Sequence, residues 1–307
     1  MNVLVTGGCG FIGSHIVEHF QGKASVRVLD NLRSGHRHNL NGFDVELIEG
    51  SILDRDLVRQ AMKGVDYVFH MAAMISVPES MGKPIECVAL NVTGLLNVLE
   101  EASAAGVKKL CFASSAAIYG NNPAVPKVET MVPEPASPYA ITKLDGEYYG
   151  GLFTREGRLE TACLRFFNVF GPRQDPNSAY AAAVPIFMRK ALAGEPVTIY
   201  GDGTQTRDFI YVKDIVAANV FAATTPGVTG VFNVGYGAGT TINEIARTII
   251  DAVGSKSVIR YEPVRTGDVK HSLASVGKLR AAGFRPSGNI REGIAATLES
   301  LQTHHGS

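Results

Sequence analysis

The chain carries no surplus of either charge. Its 29 lysines and arginines balance 29 aspartates and glutamates, which removes any general argument for a nucleic acid or an anionic membrane surface as partner. It also lacks an apolar run long enough to cross a bilayer, and its first apolar strand begins at Val3 without a basic-then-apolar leader. Cysteine is scarce. Cys9, Cys87, Cys111 and Cys163 show no metal-ligand spacing, and Cys111 and Cys163 sit inside apolar runs. Buried free thiols in a reducing, cytoplasmic compartment are expected. His36, His38, His304 and His305 have no cluster of carboxylates or cysteines around them, so no metal site is expected. Repeats and low-complexity stretches are absent too.

What is present is a globular pattern of 307 residues with enough apolar content, 45%, for a substantial core. In the first half, short apolar runs alternate with helix-length segments: "NVLV", "SVRVLD", "DVELIEG", "DYVFHMAA", "KKLCFASS" and "ETACLRFFNVFG". Continuous buried strands alternating with helices predict a doubly wound α/β domain, a parallel sheet covered on both faces. After Gly171 the character changes to a polar loop followed by mixed short elements. We expect residues 1–170 to form one domain, with a returning segment near 205–240, and residues 171–307 to form a smaller mixed one.

"VTGGCGFIGSH" places Gly7, Gly10 and Gly13 after the first strand and at the opening of a helix. Glycines there permit a tight turn and close approach to a pyrophosphate, which the free amides of the helix start, at Phe11 and Ile12, would receive. Asp30 ends the second strand about twenty residues on, where a carboxylate can hold ribose hydroxyls. A dinucleotide is expected, NAD rather than NADP because Asp30 would repel a ribose phosphate, although Arg33 stands nearby. Asn31, Ser34 and Gly35 continue that loop. Ser51 and Ile52 end the third strand and should face the adenine; Met71, Ala72 and Ala73 close the fourth, where small residues let the cofactor pass.

"SPYAITK" sets Tyr139 and Lys143 one helical turn apart on one face. The ammonium could hold the phenol near its anionic form. Spacing alone leaves open whether this is a proton-transfer pair or an ordinary turn of helix.

Taken in order, "TGGCGFIGSH", "DNLRSG", "HMAA", "SVPESM", "LNVTGLLNVLE", "SSAAIYG", "SPYAITK", "RFFNVFGPRQ", "GDGTQTRDFIYV" and "PVRTGDV" resemble the extended short-chain dehydrogenase/reductase family, and within it the nucleotide-sugar epimerases and dehydratases. The resemblance covers nearly the whole chain and implies a Rossmann fold. It also implies that Ser115, Tyr139 and Lys143 act together: Tyr139 takes a proton from a sugar hydroxyl, Ser115 positions or relays it, and Lys143 holds the nicotinamide ribose. Two departures stand out. Ser51 replaces a frequent aspartate, and Phe166, expected to pack against the nicotinamide, replaces a frequent tyrosine.

Dehydratases and decarboxylases of that family carry acidic residues after the Ser-Ser segment, where this chain has Ala116 and Ala117. An alanine cannot donate a proton to a leaving hydroxyl. The resemblance therefore implies C4 epimerisation of a UDP-hexose, with a UDP-glucuronate 4-epimerase or another nucleotide-sugar dehydratase as the alternative, a catalytically silent NAD sensor as a more distant one, and a homodimer as the expected assembly. Arg207 and Arg265 suit the diphosphate, Asp268 the uridine ribose, Asn168 the phosphate, and the main chain around Val184, Ile199 and Tyr200 the uracil. The resemblance also implies breadth: Ser272 stands where relatives restricted to unsubstituted hexoses have a wall-forming tyrosine, so UDP-N-acetylglucosamine and UDP-N-acetylgalactosamine are expected substrates too, and a one-residue slip would put His271 there. Ser76 can bond that group or cap a turn.

Overall fold

The computed structural model describes residues 1–175, 183–264, 270–286 and 288–304. Arg265 and Asp268 lie outside the described residues. Strands β1 (Asn2–Thr6), β2 (Ser25–Asp30), β3 (Glu46–Glu49), β4 (Tyr67–His70), β5 (Lys109–Ser115) and β6 (Glu160–Phe166) alternate with helices. These are α1 (Phe11–His19), α2 (Arg55–Ala61), α3 (Val77–Gly82), α4 (Pro84–Val88), α5 (Gly94–Ala104) and α6 (Pro138–Arg155). A π-helical turn at Ala89–Thr93 joins α4 to α5.

Beyond Asn168 follow β7 (Asn168–Phe170), α7 (Ala183–Leu192), β8 (Val197–Tyr200), β9 (Thr206–Arg207), β10 (Phe209–Tyr211) and α8 (Val212–Thr224). Then come β11 (Gly230–Val234), β12 (Thr240–Thr241), α9 (Ile242–Val253), β13 (Ile259–Glu262), β14 (His271–Ser272), α10 (Gly277–Ala281) and α11 (Ile290–His304). Among the described residues, seven strands form one sheet in the order β3-β2-β1-β4-β5-β6-β11. Every pairing in it is parallel.

The strict alternation of side chains along a strand builds two cores from β1 alone. Val3 and Val5 face Ile16 and Val17 of α1 and Ile215 and Ala218 of α8. Leu4, between them, faces the other way, towards Val58 of α2, Val98 and Leu99 of α5 and Phe153 of α6. This is the doubly wound Rossmann architecture expected from the unbroken apolar strands. After β10 the chain comes back along α8 and adds β11 to the outer edge of the sheet beside β6. A third core gathers Val184, Phe187 and Met188 of α7, Ile199 of β8, Ile242, Ile245 and Ile249 of α9 and Ile294 of α11.

Strand order places a topological switch at the C-terminal ends of β1 and β4. From β1 the chain winds outward through β2 to β3, and from β4 it runs the other way. In such sheets, ligands settle in the crevice at that point. The glycine turn, the β2 exit loop and the segment after β4 all converge there.

Candidate functional site

The glycine turn is built by contacts that only hydrogen at Cα allows. Gly7 has φ +71, and a Cβ on it would sit 2.7 Å from the amide nitrogen of Ala72. One on Gly13 would meet the Gly7 carbonyl oxygen at 2.1 Å. Gly10 then caps α1 without a side chain, so the amides of Phe11 and Ile12 in the first turn have no acceptor within the helix and face the crevice end of β1. Met71 donates its amide to Thr6 O at 3.0 Å, and the buried His70 bonds Thr6 Oγ1 at 2.8 Å. Burial pushes the His70 imidazole down to about 3, so it is neutral there.

Asp30 has a second task beside the ribose contact expected of it. Its carboxylate accepts from the Cys9 amide at 2.9 Å and from the Leu32 amide at 2.8 Å, tying the glycine turn to the loop after β2. Asn31 forms an Asx turn to the Arg33 amide at 3.1 Å. Ser34 lies exposed beyond it, and Gly35 is packed against Cys9. Arg33 does not face a ribose phosphate: its guanidinium is bound to Glu79 at 2.8 Å and Glu86 at 2.6 Å. Ser51 Oγ accepts the Leu53 amide at 3.2 Å. Ile52 turns its side chain into the second core, so its main chain is what it can offer an adenine.

Ser115 ends β5 and Tyr139 and Lys143 lie on the first turns of α6. Ser137 caps α6 by accepting the Ala140 amide at 3.2 Å, and Pro138 follows at the first helical position. Ser115 accepts the Ala117 amide at 3.1 Å and is also hydrogen-bonded to the Tyr139 phenol. Lys143 donates to Ala113 O at 2.7 Å and lies 5.7 Å from the Tyr139 ring centroid. The three residues are thus brought together. Ala116 and Ala117 open the short 3-10 turn directly after Ser115. Phe166, the last residue of β6, is in register with Ser115.

Burial sets the electrostatics of the pair. Burial raises the Tyr139 phenol above its ordinary value of 10, and the Ser115 hydrogen bond offsets this only in part. Lys143, almost fully buried, is itself lowered by burial to about 8. Its ammonium gives one of its three donors to a backbone carbonyl.

Two positioning residues escaped the sequence reading. Ser80 Oγ accepts the Tyr139 amide at 3.2 Å while donating to Val77 O at 2.7 Å, which fixes the start of α6 to α3. Asn91, in the π-helical turn, brackets Met74 by accepting its amide at 2.7 Å and donating to its carbonyl at 3.0 Å. It donates to Thr142 Oγ1 of α6 as well, at 3.0 Å. The available signal was a buried asparagine in an otherwise apolar helix.

On the other bank, Arg207 of β9 is in register with Ser272 of β14, and Asn168 donates its amide to Asp208 O at 3.0 Å. Register partners share a side of the sheet and their neighbours take the opposite one. Ser272 therefore shares the Arg207 side, whereas the exposed His271 bonds Thr206 at 2.9 Å on the reverse. Asp208, fully buried, accepts amides from Tyr236, Gly237 and Ala274 at 2.8, 2.9 and 3.1 Å; burial still raises its carboxyl to about 6. The run after β14 is stitched to the segment after Ser115. Lys127 donates to Leu273 O at 2.8 Å, Ser275 to Lys127 O at 2.7 Å, and Ala274 and Val276 pack with Tyr119 and Phe167. Val184 and Ile199 bury their side chains in the third core, and Tyr200 O accepts from Gln205 at 2.7 Å. Ser76 caps α3 by accepting the Glu79 amide at 3.1 Å, with its own proton still to donate.

The Lys143 shift has a sign that can be tested. Its folded value of about 8 lies below the unfolded 10.5, so the fold disfavours the charged form; that cost is full below about pH 8 and fades as pH rises towards 10.5. Lys143→Met should resist urea better than the parent near pH 7, with the gap narrowing by about pH 10. A gap that ignores pH would contradict the buried-cation account.

The geometry is matched by comparison with known proteins. The model of the NAD dependent epimerase/dehydratase family matches residues 3–235. The chain is 38% identical over 307 residues to a UDP-glucose 4-epimerase of Mycolicibacterium smegmatis, covering 97% of this chain and 98% of that one. Among solved structures, a UDP-N-acetylglucosamine 4-epimerase from Methanobrevibacter ruminantium in complex with UDP-N-acetylmuramic acid superimposes with TM-score 0.95 at 41% identity, over 99% and 98% of the two chains. A Thermus thermophilus UDP-glucose 4-epimerase in complex with NAD gives 0.89 at 39% identity, over 98% and 99%. With its glycine turn at the switch point and its serine, tyrosine and lysine beside it, the chain belongs to the NAD dependent epimerase/dehydratase family.

Proposed function

We propose that this isomerase epimerises C4 of a UDP-hexose, interconverting UDP-glucose with UDP-galactose and also the N-acetylated pair. The observation that carries this reading is the Ser115, Tyr139 and Lys143 cluster followed by two alanines, Ala116 and Ala117, where elimination would need an acid. A dinucleotide fits the residues present: a cradle at Gly7 and Gly13 that any Cβ would fill, unpartnered amides at Phe11 and Ile12, and the Asp30 carboxylate beside them. Gly35, Met71, Ala72 and Ala73 would line its path. NAD held there would supply the acceptor, and then the donor, of the C4 hydride.

The rest is the work of the chain. Tyr139 takes the O4 proton as C4 is oxidised, with Ser115 holding the hydroxyl in line. Lys143 has two donors left after Ala113 O, enough to orient a ribose at this point. The 4-keto sugar turns about its diphosphate linkage, and Tyr139 returns the proton on the other face. Arg207 and Asn168 suit the diphosphate, with Arg265 and Asp268 as further proposed contacts. The first 170 residues with the segment near 205–240 would hold the dinucleotide, and residues 171–307 the nucleotide sugar. The four cysteines are free and buried, which supports a reducing, cytoplasmic setting. No helix among the described residues is long and apolar enough to cross a membrane.

We propose a homodimer on similar grounds. Met81, Ile85 and Val88 of α3 and α4 and Ile141, Tyr148 and Leu152 of α6 are exposed, Ile85 by 85%. An apolar face running over three packed helices suits a two-fold partner that offers the same set. Sedimentation should find a dimer at micromolar concentration, and Ile85→Glu should shift it towards monomer; a monomeric parent would refute the assembly.

The activity is tested by incubating the purified protein with UDP-glucose in heavy water and following C4 by NMR. UDP-galactose should form without added cofactor and without deuterium at C4. Tyr139→Phe should lower the rate by about 10²–10⁴ while UDP-sugar binding persists. Deuterium at C4, or near-parental turnover by Tyr139→Phe, would sink the mechanism.

Substrate breadth rests on Ser272. Its short side chain, on the Arg207 side of β14, leaves room for a 2-acetamido group in both sugar orientations. Ser272→Tyr should suppress turnover of UDP-N-acetylglucosamine far more than that of UDP-glucose. Equal loss on both would show that another residue forms the wall.

A further inference from the structure

Arg33 and the helices after β4 form a contact that neither the reaction nor the fold requires. Arg33 sits in the loop leaving β2, while Glu79 and Glu86 sit on α3 and α4, which follow β4. In the sheet, β1 lies between β2 and β4, and the glycine turn is at its C-terminal end. An ion pair joining the β2 exit to the β4 exit therefore bridges the two segments that flank the C-terminal end of β1, where the glycine turn sits.

The guanidinium fork is divided between the two helices, with one terminal nitrogen on Glu79 at 2.8 Å and the other on Glu86 at 2.6 Å. Lys83 lies between the same carboxylates, at 3.6 and 3.8 Å. Each such pair alone is worth little at the surface. A fork that engages two carboxylates, with a second cation between them, is better held than an isolated pair. Both ends are also anchored. On the loop side, Leu32 has φ +56 and its amide is held by Asp30. On the helix side, the Glu79 amide is capped by Ser76, and the adjacent Ser80 holds the Tyr139 amide.

We propose that Arg33 with Glu79 and Glu86 is a strap closed across the dinucleotide cleft, which sets how long the cofactor stays bound. The inference rests on dinucleotide binding alone and not on which sugar is turned over. The strap must open for the dinucleotide to leave, so release is gated by charge pairs that salt screens.

The test is the release rate of etheno-NAD from the loaded full-length protein, followed by fluorescence as excess NAD displaces it. For the parent, release should quicken as sodium chloride rises from about 50 mM to about 500 mM. Arg33→Ala should release about 3–10 times faster and lose the salt dependence. The double variant Glu79→Gln/Glu86→Gln keeps Arg33 but removes its partners, and it should release as fast as Arg33→Ala. If Arg33 instead grips the dinucleotide directly, the double variant will release no faster than the parent, and the strap is refuted. Parental release that ignores salt would refute it as well, without reliance on any variant folding. Sugar epimerisation failing while these rates behave as stated would count against the proposed activity and leave the strap standing.

Discussion

The ion pair between Glu147 of α6 and Arg165 of β6 is the contact on which the arrangement of the site depends. Both side chains are buried, and the carboxylate and guanidinium meet twice, at 2.7 and 2.8 Å. Losing one partner of such a pair leaves an unpaired buried charge, at a cost of about 3–5 kcal/mol. Replacing both by apolar groups can be neutral, so stability alone is not what the pair supplies. Its value here is register. Tyr139, Lys143 and Glu147 follow one another at intervals of four on the same face of α6. Rotation of α6 by one residue would take the carboxylate off Arg165 and the phenol off Ser115 together.

The same guanidinium carries the arrangement further. It donates to the Tyr119 hydroxyl at 2.8 Å, which donates to Asn233 Oδ1 at 2.7 Å. The Asn233 amide reaches Lys127 O and Ser275 O at 2.9 and 3.2 Å. A chain of satisfied polar groups thus runs from α6 to the segment just after β14, three residues past Ser272. Buried networks of this kind fix geometry because each member, if displaced, leaves an unpaired group in a low-dielectric interior. The bank proposed for the sugar and the bank holding Tyr139 are referenced to one another through them.

What the sequence disclosed follows from how local each signal is. The sheet came from unbroken apolar strands, and the glycine turn from spacing within a few residues. The start of α6 was equally local, with Ser137 as cap and Pro138 behind it. The missed features are long-range or concern context. Nothing near Arg33 in sequence says that its partners are 46 and 53 residues away (79 − 33 and 86 − 33). The break between α3 and α4 at Lys83 and Pro84, and the π-helical turn that aims Asn91 at Met74, need tertiary packing to make sense. Spacing likewise shows that a cation is near Tyr139 but not how deeply both groups are buried. Lys143 also donates to Ala113 O, a partner 30 residues away in sequence.

An internal redox cycle makes two demands that pull apart: the dinucleotide must outlast the turnover, and the oxidised sugar must be free to turn within it. A single rigid pocket would serve the first and defeat the second. Here the two demands fall on different elements. Glycine turn, Asp30 and the loop bearing Arg33 gather around the ends of β1 and β2. Arg207, Asn168 and Ser272 belong to short strands outside the main sheet, pinned by the buried Asp208. Between them stand Ser115 and Tyr139, with Ala116 and Ala117 directly after Ser115 at the start of its turn. Small residues there withhold an acid from elimination and take up little of the space in which the sugar must swing. Under the proposed reaction, one pair of alanines would bear on both the choice of chemistry and the motion that completes it.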